Sequence, residues 1–363
     1  MSVAAGSNFS VFIDEVGDVW TCGTNYQGAT GEKRTNYKYR PHKITNQGES
    51  KMKMVAVGDA FSLLLTQEGT ITKLGQGSIK QEEINQLGEL KQVAANGDHA
   101  LFLDAEGNVY VYGNNSHNQL GLLNSKNVGL ERIHNLPPIE QISTGPTFTL
   151  FLDTQQQVWG CGNNDRFALG ERHGNLVKQP VQIEGIPPMH HISAGCSHAL
   201  FIDKEFQLWG SGSNANQMLF LDKVLANTTQ PVKIDNFPGA HYAVAGQNHS
   251  LVALSANQGG NQIILVEGTN TYGQIGAASK LEINGSNWKQ FGGKIGDVQF
   301  ISTGANHTLV VDCNEGLCYS SGSNANGQLG IGESDNMYTP YLVENVERIY
   351  MPSTYSAKNA RKA

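Results

Sequence analysis

The sequence predicts an all-β protein, a seven-bladed β-propeller made of four-stranded antiparallel blades. Three observations predict this fold. A glycine followed by two variable residues and an apolar run recurs seven times in the 363 residues. The copies are about 50 residues apart, which is the period of propeller blades. Each copy contains short β-rich runs between turn residues, and no segment keeps a helical period beyond a couple of turns.

Each copy opens with a short strand, the aligning glycine and a second apolar strand such as residues 198–202. The copies begin near residues 3, 55, 93, 142, 192, 243 and 301. The aligning column contains Gly6, Gly58, Asn96, Gly145, Gly195, Gly246 and Gly304.

A tight turn and a return strand follow. In turns such as residues 14–19 and 104–109, Gly and Asp tolerate the backbone angles of a hairpin. The return strand carries an aromatic residue and then a closing glycine. The aromatic residues are Trp20, Tyr110, Trp159, Trp209 and Tyr319. The closing glycines are Gly23, Gly75, Gly113, Gly162, Gly212, Gly268 and Gly322.

A polar loop of the form N-x-x-G-Q-L-G comes next, as at residues 324–330, and most copies then add a proline and a fourth short strand. One blade cannot bury both its faces, so the blades must stack and the ring must close. The C-terminal segment 346–356 resembles the openings of the repeats. We expect it to pair beside residues 3–13, so that N- and C-terminal strands close the ring. Residues 1–350 are thus predicted to form one propeller, and residues 351–363 a short C-terminal tail.

The composition limits the function. Charged residues make up 16% of the chain and the net charge is −7, which disfavours nucleic acid as a main partner because phosphate contacts need clustered Lys and Arg. The sequence shows no export signal and no apolar run that predicts a membrane span. With five cysteines that mostly fall inside strands, a reducing cytosol is expected, with the nucleus as the alternative.

Some recurring residues could be mistaken for sites. Four histidines share one column: His99, His198, His249 and His307. Residues that recur once per blade lie apart around the ring, so hydrogen bonds at strand junctions are favoured over a metal cluster. Five aspartates are expected to cap hairpin turns: Asp14, Asp104, Asp153, Asp203 and Asp312. Cys313 and Cys318 flank one turn and are read as ordinary strand cysteines, rather than a disulfide or half a zinc site.

No nucleophile elbow, phosphate-binding loop or zinc-binding helix motif is present in the sequence. We therefore expect no catalytic residues, no cofactor and no metal. The sequence makes no positive case for an enzyme.

The combined pattern G-x-x-H-[ST]-L, then G-x-V-[YW]-x-x-G-x-N-x-x-G-Q-L-G, resembles the repeat of the regulator of chromosome condensation family over about residues 2 to 350. The resemblance implies a seven-bladed propeller whose sequence repeats are offset from its blades. The founding member is a nuclear exchange factor for the small GTPase Ran that docks on nucleosomes, but this chain lacks its basic N-terminal arm. The plant UV-B receptor of the family has Gly-Trp-Arg-His-Thr segments, which none of the tryptophans here occupies. Many other members are interaction domains.

Departures from the repeat suggest a binding surface. Copy 2 loses its aromatic residue and shortens its loop. Copy 4 places Arg166 and Phe167 in its loop, and copy 5 replaces the Gly-Gln-Leu-Gly turn with a run that includes Met218 and Phe220. Copy 6 extends its hairpin and adds a connection that holds Trp288. Loops on a rigid scaffold carry binding specificity, and aromatic residues are favoured anchors. The alternative is that these side chains pack under their own loops.

The predicted function is a non-catalytic protein–protein interaction propeller that serves as a scaffold or regulatory subunit. Its protein partner is expected on one rim of loops, at Arg166, Phe167, Met218, Phe220 and Trp288. The alternative is a guanine-nucleotide exchange factor for a Ran-like small GTPase, with Asn257 and Gln258 of the extended hairpin as its wedge. A third hypothesis makes the chain a stable component of a larger assembly, or one propeller of a longer protein.

Overall fold

The structure is a computed structural model that contains almost the whole chain. It describes all residues except 32–37, 46–49, 76–79, 124–125, 222–225, 236, 238, 256–261, 278–288, 293–294 and 352–363. Two residues of the predicted hairpin wedge, Asn257 and Gln258, and the predicted anchor Trp288 lie outside the described residues.

Seven antiparallel sheets follow one another along the chain, and each is built from consecutive strands. Blade 1 contains β1 (Val3–Ala5), β2 (Phe9–Ile13), β3 (Val19–Gly23) and β4 (Lys38–Lys43). Blade 2 contains β5 (Met52–Val57), β6 (Phe61–Thr66) and β7 (Ile71–Gly75). Blade 3 contains β8 (Leu90–Asn96), β9 (His99–Asp104), β10 (Val109–Gly113) and β11 (Val128–Arg132). Blade 4 contains β12 (Ile139–Thr144), β13 (Phe148–Asp153), β14 (Val158–Asn163) and β15 (Leu176–Gln182).

The remaining blades repeat this order. Blade 5 contains β16 (Met189–Ala194), β17 (His198–Asp203), β18 (Leu208–Ser213) and β19 (Asn227–Lys233). Blade 6 contains β20 (Ala240–Ala245), β21 (His249–Leu254), β22 (Ile263–Gly268) and β23 (Lys289–Gln290). Blade 7 contains β24 (Val298–Thr303), β25 (His307–Asp312), β26 (Leu317–Gly322) and β27 (Met337–Leu342). The short helices are α1 (Gln81–Ile84) and the 3-10 turns Tyr26–Gly28 and Glu171–His173.

The innermost strands of neighbouring blades contact one another around the whole circle, and β24 of blade 7 contacts β1 of blade 1. The predicted seven-bladed propeller is therefore confirmed. Buried apolar clusters lie between blades, so each blade buries its faces against its two neighbours. No helix among the described residues is long and apolar enough to cross a membrane.

Blade 2 shows the erosion seen in its sequence, since its described residues supply three strands. The helix α1 stands beside the outer strand β7 instead. The side-chain amide of Gln81 accepts a hydrogen bond from the backbone N of Lys73 at 2.9 Å and donates one to the carbonyl of Ile71 at 2.7 Å. The Gln81 side chain thus makes backbone hydrogen bonds with β7 that a fourth strand makes in the other blades.

The two ends of the ring differ. At one end, here called the glycine rim, lie the aligning glycines, the closing glycines and the loops that follow them. At the other end, the hairpin rim, lie the turns that join the second and third strand of each blade. The strands that flank Asn257 and Gln258, β21 and β22, end and begin at the hairpin rim.

The aspartates of the hairpin rim cap their turns, as predicted. In blade 4 the Asp153 carboxylate accepts bonds from the backbone N of Gln155 and of Gln157, both at 2.9 Å. Its second oxygen accepts a 2.8 Å bond from the Trp159 indole N–H, which the sequence did not suggest. Asp14 with Trp20 and Asp203 with Trp209 repeat this bond. Each carboxylate therefore also fixes the aromatic residue of the return strand.

The histidine column makes hydrogen bonds between blades, as predicted. In each case the ring Nε2 lies within hydrogen-bond distance of a hydroxyl on the next blade. The pairs are His99 with Thr144 at 2.6 Å, His198 with Ser250 at 2.8 Å, His249 with Thr308 at 2.9 Å and His307 with Ser10 at 2.9 Å. No group of three or more His, Cys, Asp or Glu side chains that could hold a metal occurs among the described residues.

The ring closes between blades 7 and 1. The backbone N of Ala5 donates to the Ser302 hydroxyl at 2.9 Å, the kind of contact that also joins Ala194 to Ser143 between blades 4 and 5. Up to residue 351, where its described part ends, the C-terminal segment adds one antiparallel bridge between Asp14 and Ile349. The predicted closure by paired terminal strands is therefore only partly right, because repeat contacts already join the two blades.

All five cysteines are free thiols in the structure, so Cys313 and Cys318 form no disulfide. Cys22, Cys161 and Cys318 are buried in strands, and burial raises the pKa of each thiol. Their role is that of small core residues.

The closing glycines adopt a backbone conformation that side chains resist. Gly162 has φ +114°, and a Cβ on it would lie 2.5 Å from the carbonyl oxygen of Thr147. We expect Gly162→Ala to lower the free energy of unfolding by roughly 2 kcal/mol or more, because strain and a backbone clash combine. Urea unfolding of the purified protein measures the change.

Gly129→Ala is the matched control, since Gly129 also lies in a strand but a Cβ there would meet nothing within 4 Å. An equal loss of stability in the two variants would show that the closing conformation is not what holds the blade.

Candidate partner-binding site

Six blades carry the same loop on the glycine rim, held by one asparagine. Its side-chain oxygen accepts a bond from the backbone N five residues later, as Asn164 does from Leu169 at 2.8 Å. The Asn164 amide also donates to the carbonyl of Gly170 at 2.8 Å. The equivalent asparagines are Asn25, Asn115, Asn214, Asn270 and Asn324. Each loop is therefore a rigid turn closed by its own side chain.

The two residues after each asparagine face solvent. The asparagine is buried in all six loops, whereas the next two residues are exposed, except for Asn326, which is half-buried. We call these residues the tip ring: Tyr26, Gln27, Ser116, His117, Asp165, Arg166, Ala215, Asn216, Thr271, Tyr272, Ala325 and Asn326. One constant frame thus presents a different pair of side chains from each of these blades.

The position after the tips has left-handed backbone angles. Gly273 and Gly327 occupy it in blades 6 and 7, with φ +91° and +79°. In blade 4 the same position holds Phe167, with φ +63°. A bulky residue is disfavoured there, and such strain persists where the surrounding structure enforces it, often at functional sites. Phe167 is half-buried and lies next to the exposed Arg166.

The central channel opens at the middle of this rim. A cavity of about 260 Å³ lies there, lined by five of the aligning glycines and by Ser7, Asp59, Cys196 and Gln247. The Ser7 hydroxyl donates to the Asp59 carboxylate at 2.8 Å. The cavity falls below the roughly 300 Å³ at which small-molecule sites begin. The exposed tips therefore offer the larger contact area.

The structure does not bring all the predicted anchors to the surface. Arg166 and Phe167 lie on the glycine rim as expected. Met218 and Phe220 are only 1% and 3% exposed, so the expectation that they are surface anchors is wrong. Phe220 packs edge-on against Phe237 with ring centroids 5.1 Å apart, in the apolar cluster between blades 5 and 6. Burial removes these apolar side chains from water, which favours the inward orientation.

Sequence reasoning missed most of the tip ring. It sought breaks in the repeat, whereas the exposed positions lie inside its regular copies. The signal was present, because the two variable letters of N-x-x-G vary while the flanking letters persist.

The fold and its rim define a seven-bladed β-propeller with a ring of structurally equivalent surface loops. Two family models described as the regulator of chromosome condensation (RCC1) repeat match the sequence. One matches residues 2–29, 90–119 and 139–167, and the other matches residues 106–152 and 156–202. The chain is therefore a seven-bladed propeller that contains RCC1 repeats within residues 2–29 and 90–202.

The matched repeats are offset from the blades, as the resemblance implied. The unit at residues 106–152 begins in the hairpin turn of blade 3 and ends in β13 of blade 4. Each of the two units 106–152 and 156–202 thus contains the outer half of one blade, its rim loop and the inner half of the next blade, whereas the units of the other model begin at the first strand of a blade. Residues from both sides of a contact between two blades therefore lie within one such unit.

Known proteins resemble this chain in sequence and in structure. A mouse "RCC1-like G exchanging factor-like protein" is 28% identical over 130 residues, which is 31% of this chain and 28% of that protein. The crystal structure of human WBSCR16 has a TM-score of 0.75 at 20% identity, covering 92% of this chain and 95% of that one. Prp20p from Saccharomyces cerevisiae has a TM-score of 0.76 at 18% identity, covering 99% and 96%. At these identities the structural matches show the shared fold.

The loop frame predicts a contrast between neighbouring residues. Asn164→Ala removes the bonds to Leu169 and Gly170 and leaves buried backbone groups unpaired, which should cost about 1–3 kcal/mol of unfolding free energy. Arg166→Ala, two residues away, should change stability by about 0.5 kcal/mol or less, because Arg166 is exposed. Denaturant unfolding of both variants checks this. Comparable losses of unfolding free energy in the two variants would contradict the claim that the asparagine stabilises the loop and the tip residues do not.

Proposed function

We propose that this protein is a protein-interaction propeller whose partner docks across the tip ring of the glycine rim. The observation that carries the proposal is the constant loop frame, which displays two surface residues from each of six blades. Arg166 and Phe167 are the proposed anchors in blade 4, and Tyr26 and Tyr272 extend the surface to blades 1 and 6.

The chemistry of the tips supports a protein partner. Tyr26 and Tyr272 are 60% and 41% exposed, and they stand among Asn, Ser and Thr residues. Tyrosine and arginine are enriched at binding hot spots, and paratopes combine aromatic anchors with adaptable Asn and Ser contacts. A rigid frame also lowers the entropy lost on binding, since the loop backbone is ordered before the partner arrives.

The second candidate function is guanine-nucleotide exchange on a Ran-like small GTPase. The similarity to the mouse exchange-factor-like protein favours it, although the match spans only 28% of that protein's length. The yeast protein Prp20p shares this fold, and its binding to Gsp1p and histones is a property of that protein. In this chain the proposed wedge, Asn257 and Gln258, belongs to the hairpin between β21 and β22.

The interaction proposal predicts that Phe167→Gly separates stability from binding. Glycine accepts φ +63° without strain, so the variant should be as stable as the native protein or slightly more stable. Loss of the aromatic ring should weaken capture of the bound partner about tenfold or more, the loss typical of a hot spot. Quantitative affinity capture, paired with a thermal melt, measures both effects.

Phe206→Gly provides the matched control. Phe206 also has positive φ, +58°, and is 44% exposed, but it lies in a turn of the hairpin rim. Its replacement should leave capture unchanged. If Phe206→Gly abolishes capture and Phe167→Gly does not, the partner docks on the hairpin rim and the proposal is wrong.

Exchange activity is tested by a separate assay. Release of labelled GDP from a panel of Ran-family GTPases should accelerate by several orders of magnitude when this protein is added. Replacing Asn257 and Gln258 with Gly should then reduce the acceleration. No acceleration from any member of the panel would eliminate exchange activity on this class of GTPase.

A further inference from the structure

Six of the seven junctions between blades fall into two chemical kinds, and at the seventh, from blade 1 to blade 2, Phe9 stands in the histidine column and Ser62 in the hydroxyl column. At four junctions a histidine of one blade bonds a hydroxyl of the next. At two others a phenylalanine stands in the histidine column and an alanine in the hydroxyl column of the next blade. Phe61 and Ala100 share one buried apolar cluster, and Phe148 and Ala199 share another. Three of the four histidine junctions are consecutive, from blade 5 through blades 6 and 7 to blade 1, and the fourth, at His99, stands alone between blades 3 and 4.

The hydrogen bonds fix the protonation of these rings. The Ser10 hydroxyl donates to the carbonyl of Gln328 at 2.7 Å, so it must accept from His307 Nε2. Thr308 likewise donates to the carbonyl of Gln274 at 2.6 Å and accepts from His249. The rings of His249 and His307 therefore carry their proton on Nε2 and leave Nδ1 as an acceptor.

The Nδ1 atoms have no partner to stabilise a second proton. In all four histidines of the column this atom is buried without a hydrogen-bond partner among the described residues. Burial lowers the pKa of His249 to about 4, and burial together with the neighbouring His249 lowers the pKa of His198 and of His307 to about 3. An added proton would be a buried charge that no acceptor pairs.

Few other ionisable groups stand beside these three rings. Glu267 is the cross-strand neighbour of Ser250, next to His198. Cys22 is the cross-strand neighbour of Ser10, next to His307, and Ser321 is that of Thr308, next to His249. The Cys22 thiol stays neutral, because burial raises its pKa. The rings of His249 and His307 therefore have no carboxylate at these positions.

We propose that the three consecutive histidine junctions form an acid-labile seam, along which the ring opens between blades 5, 6, 7 and 1 while the phenylalanine junctions hold. Opening exposes each ring to water, where Nδ1 can take up a proton. Because the closed state excludes that proton, acid favours the open state. The seam also reaches the glycine rim, since the carbonyls of Gln274 and Gln328 belong to the loops of the tip ring.

The direction of the pH effect follows from linkage. A histidine in the open seam titrates near its ordinary pKa of about 6.5, whereas in the closed seam it stays neutral to much lower pH. The stabilisation is complete above about pH 6.5 and is lost as the pH falls toward 4. At about pH 4.5 each histidine that opening exposes should raise the opening constant about 100-fold.

Hydrogen exchange read by mass spectrometry tests the seam on the full chain, without any partner. Between neutral pH and about pH 4.5, exchange corrected for the intrinsic rate should accelerate about 100-fold or more in β1, β2, β20, β21, β24 and β25. Strands β5 and β6 of blade 2, which has no histidine junction on either side, should change least, and the lone His99 junction should open only between blades 3 and 4. A uniform increase around the ring, or a first increase at the phenylalanine junctions, would overturn the proposal.

The chain offers two reciprocal variants. His307→Phe with Ser10→Ala copies the natural Phe61–Ala100 pair and should remove the acid-induced exchange at the junction of blades 7 and 1. Phe148→His with Ala199→Ser builds a histidine pair between blades 4 and 5 and should create acid lability there. If neither double variant changes the exchange pattern, the seam proposal is wrong. The two variants alter different junctions, so a folding defect in one leaves the other as a test.

Discussion

The propeller depends on how closely the backbones of adjacent strands and blades approach at the glycine rim. At the closing glycine of each blade φ lies between +86° and +116°, and a Cβ would come within 2.6 Å of the carbonyl that precedes the second strand. At the aligning glycine the next blade comes as near, since a Cβ on Gly145 would lie 1.9 Å from the carbonyl oxygen of Gly195. These contacts bring the inner strands together and start every rim loop from the same place and direction.

The rigid rim explains how one repeat provides both architecture and a variable surface. The asparagine side chain makes hydrogen bonds with the loop backbone, so the conformation of the loop does not depend on the side chains of the two tip residues. Their side chains are free to differ, as Tyr26, His117, Arg166 and Tyr272 do. The hairpin rim lacks this separation, because its aspartates bind both the turn and the aromatic residue of the same blade. Phe167 on the glycine rim differs from the tip residues, because its backbone is strained. It lies beside the exposed Arg166.

The sequence predicted the fold well, since its period, its glycine columns and its strand runs all reflect backbone geometry that recurs in each copy. It also predicted the roles of the histidines and aspartates, because a residue that recurs once per blade has the same neighbours each time. It failed on Met218 and Phe220, whose apolar run could lie outside or inside. Only the three-dimensional gap between blades 5 and 6 decided that they turn inward. It also missed the tip ring, because only the variation of two letters inside an otherwise regular motif marks the exposed pair.

The proposed interaction places the partner on the tips of the glycine rim. Site-specific photo-crosslinking measures this most directly, with a photoreactive residue placed in turn at Tyr26, His117, Arg166 and Tyr272, and at Glu15, Glu106 and Glu205 of the hairpin turns. All seven side chains lie in exposed positions. We predict covalent adducts with the partner from two or more tips and none from the turns. Adducts from the turns alone would contradict the claim.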